Sequence, residues 1–155
     1  MKIRIYRKDK LISLPERKTP RSVGLDIYAA ETTRIWPGKV TVVPTGLIIE
    51  SPAGYYFKVF IRSGYAIRNG ISLVNDVGII DEDYCGPEDE VKIAVIRHYN
   101  PDDQNRDKPV IIEKGTRFAQ LIFEKNAVPD IEWDEQADID FAGKSRGGLG
   151  STGIH

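Results

Sequence analysis

Residues 40–61, VTVVPTGLIIESPAGYYFKVFI, decide the fold, because they hold short runs of β-branched and aromatic residues separated by Pro and Gly. Similar short runs of β-branched and aromatic residues recur in VKIAVI (91–96) and FAQLIF (118–123). Short apolar runs at this spacing predict an all-β domain, a sandwich or barrel with short connections. One short helix is predicted after Ser63-Gly64, where YAIRN lacks the period-2 alternation of a strand.

Length and charge limit the function classes. A chain of 155 residues with 41% hydrophobic residues can form one domain with its own core. With 22 basic and 23 acidic residues the net charge is −1, which argues against nucleic-acid or membrane binding through a global field. A single cysteine, Cys85, cannot form an intramolecular disulfide, and no apolar run approaches the roughly 20 residues of a membrane span. We therefore expect a soluble, intracellular (cytoplasmic) protein.

The C-terminal segment differs from the rest in composition. Six acidic residues fall within 130–140, and residues 147–153 read GGLGSTG. One interpretation is a disordered terminus. The other is a flexible lid, in which glycine amides and the Ser151 and Thr152 hydroxyls donate to phosphate oxygens. We expect a β domain over 1–133 and a Gly-rich tail or lid over 134–155.

The segment 75–86, NDVGIIDEDYCG, is the densest group of potentially functional side chains. It is either a solvated acidic loop or a catalytic carboxylate site. If it forms a continuous hairpin, Asp81 and Asp83 share one face while Glu82 and Tyr84 point to the other.

Three other segments offer partners for such a site. Arg62 suits a phosphoryl oxygen, although a surface ion pair is the commoner fate of a lone arginine. Gln120 interrupts an apolar strand, so its amide needs a hydrogen-bond partner. Asp26 interrupts the apolar stretch VGLDIYAA (23–30), where a carboxylate is costly unless it is paired, hydrated or near a cation.

Together with the tail, these segments carry a family resemblance. The sequences VGLDIYAA, RSGYA, NDVGIIDEDYCG, GTRFAQLI and RGGLGSTG resemble the five motifs of the homotrimeric dUTPase family, in the same order, from about residue 22 to residue 153. The resemblance implies a jelly-roll-like β-barrel and a homotrimer whose active sites are shared between subunits. It also implies hydrolysis of dUTP to dUMP and pyrophosphate, which keeps uracil out of DNA and supplies dUMP for dTMP synthesis.

The resemblance also assigns roles in the acidic segment. Asp81 matches the general base that deprotonates water for attack on the α-phosphate, and Asn75 matches a residue that helps hold this water. Tyr84 matches the residue on which the deoxyribose packs. Backbone groups that read the uracil edge are implied at Gly78, Ile79 and Ile80.

Phosphate and metal contacts are implied elsewhere in the chain. A triphosphate calls for Mg²⁺, held mainly by the phosphates, with Asp26 acting through bound water. Phosphate contacts in the body are implied for Arg62, Ser63, Gly64 and Gln120. Contacts from the tail are implied for Lys144, Arg146, Leu149, Gly150, Ser151 and Thr152. Leu149 stands where the family usually has an aromatic ring that stacks on the uracil, so its implied contact is with the base, and either Lys144 or Arg146 could reach the phosphates.

Two alternatives remain. A dCTP deaminase of the same fold uses a glutamate on the strand after the acidic segment, but that position here is Ala94. A non-catalytic trimeric interaction protein would use the Gly-rich tail only to join subunits. The joint presence of Asp81, Asn75, Tyr84 and Gln120 disfavours the second alternative.

Overall fold

The structure is a computed structural model that describes residues 1–127 and 131–135. Within these residues the chain forms eleven strands and one short helix, so the predicted all-β class with one helix is confirmed. The elements are β1 (Arg4–Arg7), β2 (Leu25–Tyr28), β3 (Thr33–Ile35), β4 (Val40–Pro44), β5 (Leu47–Glu50), β6 (Tyr55–Ile61), α1 (Ser63–Asn69), β7 (Ile71–Leu73), β8 (Gly78–Ile80), β9 (Lys92–Arg97), β10 (Val110–Ile112) and β11 (Arg117–Lys125).

The largest sheet has the strand order β2-β11-β6-β8, with every pair antiparallel. The nine-residue β11 lies between β2 and β6, where Gln120 faces Asp26 on one side and Phe60 on the other. Its pairing with β2 shifts between Arg117 and Ala119. Because a shift of this kind re-aims side chains, Arg117 and Gln120 can both reach toward Asp26.

A second sheet has the order β4-β9-β7, and two strand pairs, β1-β5 and β3-β10, complete the pairing. Among the described residues these pairings remain four separate sheets and do not close into one barrel. The hydrophobic core lies between the sheets. Its largest fully buried side chains are Phe57, Phe118, Ile27, Ile35, Leu47, Ile49, Ile112 and Leu121.

Helix α1 follows β6 at the position predicted from the sequence. It starts at Ser63 after an extended Arg62 and ends at Asn69, where the following Gly70 has a φ of 61° in the left-handed region that favours glycine. The amides of Tyr65 and Ala66 both donate to the Arg62 carbonyl. No helix in the described part of the chain is long and apolar enough to cross a membrane.

Candidate active site

Asp26 is a nearly buried carboxylate held between two arginines. It lies on β2 and is 7% exposed. Its Oδ1 is 3.0 Å from Nε of Arg62 at the end of β6, and its Oδ2 is 3.1 Å from an Nη of Arg117 at the start of β11. The Arg62 guanidinium also donates to the Arg117 carbonyl at 3.1 Å. The sequence required this carboxylate to be paired, hydrated or near a cation, and the structure pairs it with two cations.

Gln120 sits beside Asp26 because their strands pair at these two residues. Its side chain occupies the space that Gly24 leaves open, so a Cβ atom at Gly24 would overlap the Gln120 Oε1. Glycine in VGLD therefore makes room for the glutamine amide, a role that the sequence alone does not indicate. Gln120 is half-buried, not fully buried.

Asp26, Arg62 and Gln120 line a cleft of about 500 Å³ that we call the cationic cleft. Its lining includes the predicted Asp26, Arg62, Ser63, Gly64 and Gln120. Sequence reasoning missed two further cations of the lining, Lys18 and Arg68. It also missed Arg117, although GTRFAQLI contains it, because its pairing with Asp26 depends on strand register.

The acidic segment is not the hairpin that the sequence suggested. β7 pairs with β9 in one sheet, and β8 pairs with β6 in the other. Residues 74–77 therefore cross between two sheets, and Asp76 takes a left-handed φ of 59°. The hairpin that the sequence left open is therefore not formed, because an apolar run does not specify which strand it pairs with.

The crossing segment borders a cavity of about 350 Å³, which we call the crossover cavity. Its lining includes the predicted Asn75, Gly78, Ile79 and Ile80. At Gly78 a Cβ atom would lie 3.3 Å from Cβ of Val59, so the glycine allows close packing of β8 on β6.

Asp81 follows directly after β8 and is exposed. It lines a cavity of about 800 Å³ together with Tyr55, Tyr56, Ile79, Glu82, Asp83, Lys125, Asn126 and Ala127. Oε2 of Glu82 accepts a 2.7 Å hydrogen bond from the Gly54 amide, which ties the turn to the start of β6. The separation of Glu82 from Asp81, which was expected for a hairpin, does not apply here, because the strand ends at Ile80 and strict alternation ends with it.

Tyr84 is 39% exposed, and its hydroxyl donates to the Glu90 carbonyl at 3.3 Å. Glu90 is 5% exposed and accepts from the Gly46 amide at 2.8 Å and from Lys8 Nζ at 2.9 Å. Burial raises the pKa of the Glu90 carboxyl, but the bonds from Lys8 and Gly46 outweigh burial, so the pKa is lowered overall. Glu90 therefore anchors the end of the segment that carries Tyr84.

In this single chain the predicted residues fall into two groups. Asp26, Arg62, Ser63, Gly64 and Gln120 line the cationic cleft, which shares no lining residue with the cavities of Asn75, Ile79 and Asp81. Tyr84 lies outside all three linings. The predicted tail residues Lys144, Arg146, Leu149, Gly150, Ser151 and Thr152 lie outside the described residues.

The predicted magnesium ion would need acidic side chains or other oxygen ligands near the site. Across residues 1–127 and 131–135, no three His, Cys, Asp or Glu side chains are grouped as a metal site, and Asp26 is the one acid in the lining of the cationic cleft. With one carboxylate in its lining, the cleft could supply a magnesium ion with few protein ligands, so the ion would need phosphates and water for the others.

Three comparisons place this chain among known proteins. The dUTPase family model matches residues 10–153. A deoxyuridine 5'-triphosphate nucleotidohydrolase from Brucella melitensis is 43% identical over 148 residues, covering 93% of this chain and 87% of the relative. The enzyme of the same name from Desulfitobacterium hafniense is 38% identical over 157 residues, covering 99% of this chain and 96% of the relative.

The fold agrees with these matches. The crystal structure of dUTPase from Streptococcus mutans aligns with a TM-score of 0.71 and 28% identity, covering 83% of this chain and 98% of that chain. The predicted jelly-roll-like architecture is therefore confirmed, although the sheets described here do not close into a barrel. Both relatives exceed 30% identity over nearly the whole chain, and the family match includes all five motifs, so the chain belongs to the dUTPase family.

Proposed function

We propose that this protein hydrolyses dUTP to dUMP and pyrophosphate, with Asp81 activating the attacking water. The observation that carries the proposal is the family match over residues 10–153, which includes Asp81 and the other predicted site residues. The relatives are named for this activity on deoxyuridine triphosphate. The reaction would keep uracil out of DNA and supply dUMP for dTMP synthesis.

The exposed position of Asp81 supports its role as the base. Its carboxylate lines an open cavity, so a water molecule and a phosphate can reach it. In the proposed step, the carboxylate takes a proton from water as the water oxygen bonds to the α-phosphorus. The bond from the α-phosphorus to the bridging oxygen breaks, and pyrophosphate leaves. Asn75, in the crossover cavity that shares Ile79 with the Asp81 cavity, would help hold the water.

The crossing segment is proposed to select the nucleoside. Gly78, Ile79 and Ile80 border the crossover cavity, where their backbone groups could read the hydrogen-bonding edge of uracil. The Tyr84 ring is proposed to pack on the deoxyribose and to exclude a 2'-hydroxyl. Its hydrogen bond to the Glu90 carbonyl supports this role, because a fixed ring can exclude an atom that a mobile ring would admit.

The cationic cleft is proposed to bind the phosphates through Arg62, Ser63, Gly64 and Gln120. A triphosphate carries several negative charges, and the cleft offers arginine, hydroxyl and amide donors. Magnesium bound to the phosphates would neutralise part of their charge and of the charge developing on the leaving pyrophosphate. Asp26 is proposed to act on this ion through bound water.

A homotrimer with shared sites is the proposed assembly. The phosphate-binding and base-binding groups line different cavities in one chain, which is the arrangement expected if a neighbouring subunit completes each site. Apolar side chains are also exposed at the β4-β9-β7 sheet, where Val40 and Val42 of β4 are exposed by 59% and 51%, and Val74, directly after β7, by 46%. Exposed apolar surface of this kind is typical of subunit interfaces.

The division into a β domain over 1–133 and a lid over 134–155 is part of the proposal. Lys144 or Arg146 would contact the phosphates, and the Gly150, Ser151 and Thr152 groups would close over them. Leu149 would cover the base by apolar contact in place of the aromatic ring usual in the family, with weaker binding as the expected result.

Pyrophosphate release from the purified full chain tests the activity. With MgCl₂ present, we expect release from dUTP far above release from dCTP, dTTP or UTP, and Tyr84→Ala should raise the rate with UTP relative to dUTP. Ammonia release from dCTP without pyrophosphate would overturn the proposal in favour of a deaminase.

Light scattering on a sizing column tests the assembly, and a monomer would contradict the shared site.

A further inference from the structure

The loop before β2 brings an additional cation to the cationic cleft. Lys18 lines this cleft together with Arg62 and Arg68, against a single acid, Asp26. Asp26 is already bound to Arg62 and Arg117. The positive charge of Lys18 is therefore not needed to balance Asp26.

The backbone holds this loop against the site. The Glu16 amide donates to the Asp26 carbonyl at 3.2 Å, and the Asp26 amide donates to the Glu16 carbonyl at 2.8 Å. The loop is thus paired with β2 at the residue that carries the buried carboxylate. Lys18 lies two residues further along, so its position at the cleft follows from this bridge.

The side chain of Lys18 is oriented but not buried. Its ammonium group pairs with the Glu16 carboxylate, which also accepts from the Tyr28 hydroxyl, and the Lys18 side chain is 43% exposed. The hydrogen bond that the Lys18 ammonium donates to the Glu16 carboxylate raises the pKa of Lys18, so the ammonium stays charged. An exposed ion pair contributes about 1 kcal/mol or less to stability, so a phosphate can compete with Glu16 for this cation.

We propose that Lys18 is a further phosphate-binding residue, which exchanges Glu16 for the β- and γ-phosphates of the substrate. This inference rests on the proposed function, which puts the triphosphate in the cationic cleft. Asp81 lines a different cavity from the cationic cleft. The α-phosphate, which reacts, is then the phosphate nearest Asp81, and the cleft binds the β- and γ-phosphates. Lys18 therefore favours the triphosphate over the monophosphate product.

The test compares Lys18→Met with Arg17→Met, a matched control that removes the same charge from the same loop at a residue outside the cleft lining. Lys18→Arg keeps the charge and should retain most of the binding. For dUTP, we expect Lys18→Met to raise KM about fivefold to twentyfold with kcat nearly unchanged, as for the loss of one charge-assisted hydrogen bond. The inhibition constant of dUMP should not change.

Inorganic tripolyphosphate separates this inference from the proposed function. Its dissociation constant, measured by calorimetry on the full chain, should rise in Lys18→Met and not in Arg17→Met, whether or not dUTP is the substrate. Equal effects of the two methionine variants would overturn the inference, because general charge would then explain them. An equal loss of dUMP binding would overturn it too, and so would unchanged tripolyphosphate binding in Lys18→Met.

Discussion

The cationic cleft and the segment that carries Asp81 are held in place by different interactions. The cleft is built on three neighbouring strands, β2, β11 and β6, and its central carboxylate is buried between two guanidinium groups. Asp81 instead follows a three-residue strand at the edge of that sheet and is exposed. Stability and function should therefore be coupled at Asp26 and largely separate at Asp81.

The largest expected effect belongs to Asp81→Asn, which keeps the size of the side chain and removes the base. We expect kcat for dUTP to fall about 10²- to 10⁴-fold, as for the loss of a general base. Because Asp81 is exposed, Tm should stay within about 2 °C of the wild type. Asp83→Asn, which alters a carboxylate of the same cavity, is the control and should keep most of the activity. Turnover of Asp81→Asn within about tenfold of wild type would contradict the assignment.

Asp26→Asn tests whether the buried carboxylate of the cleft also stabilises the fold. The change leaves Arg62 and Arg117 without their shared counter-charge, so the free energy of unfolding should fall by about 2 kcal/mol. This value lies below the cost of breaking a fully buried pair, because the arginine side chains are 34% and 38% exposed. Urea unfolding measures it, with Asp83→Asn again as control. An Asp26→Asn protein as stable as wild type would contradict the stabilising role of Asp26.

Glu90→Gln probes the anchor at the end of the acidic segment. The lowered pKa of Glu90 means that its ionised form stabilises the fold above the ordinary value of 4.5, and that this contribution is lost as pH falls through the lowered pKa. We expect the variant to lose about 1–2 kcal/mol at pH 7. Urea unfolding from about pH 7 to pH 3 should show the gap from wild type closing in acid. A gap that is constant with pH would contradict this role.

The smallest expected effect is that of Gly24→Ala. The new Cβ would displace the flexible end of Gln120, so KM for dUTP should rise about threefold to tenfold with little change in unfolding free energy. Gln120→Ala and the double variant complete a mutant cycle. If Gly24 acts through Gln120, the two effects on KM will not add. Additive effects would show that Gly24 has a separate role.

Much of the β architecture could be predicted from the sequence. Runs such as YYFKVFI and VKIAVI appear as β6 and β9, and the short helix starts at Ser63, because periodicity and turn residues act locally. Pairing partners could not be predicted in the same way. The segment 75–86 could have formed a hairpin by its sequence, yet its one strand, β8, pairs with β6, and the preceding β7 joins a different sheet.

The same difference between local sequence pattern and strand pairing applies to the candidate site. The sequence by itself determined the family, the order of the five motifs and the identity of the candidate base, because these depend on which residues stand next to one another along the chain. Only the tertiary structure decided that Arg117 shares Asp26 with Arg62, that Gly24 makes room for Gln120 and that Lys18 borders the cationic cleft. These contacts arise from strand register and loop placement, in which residues far apart in sequence meet because their backbones pair.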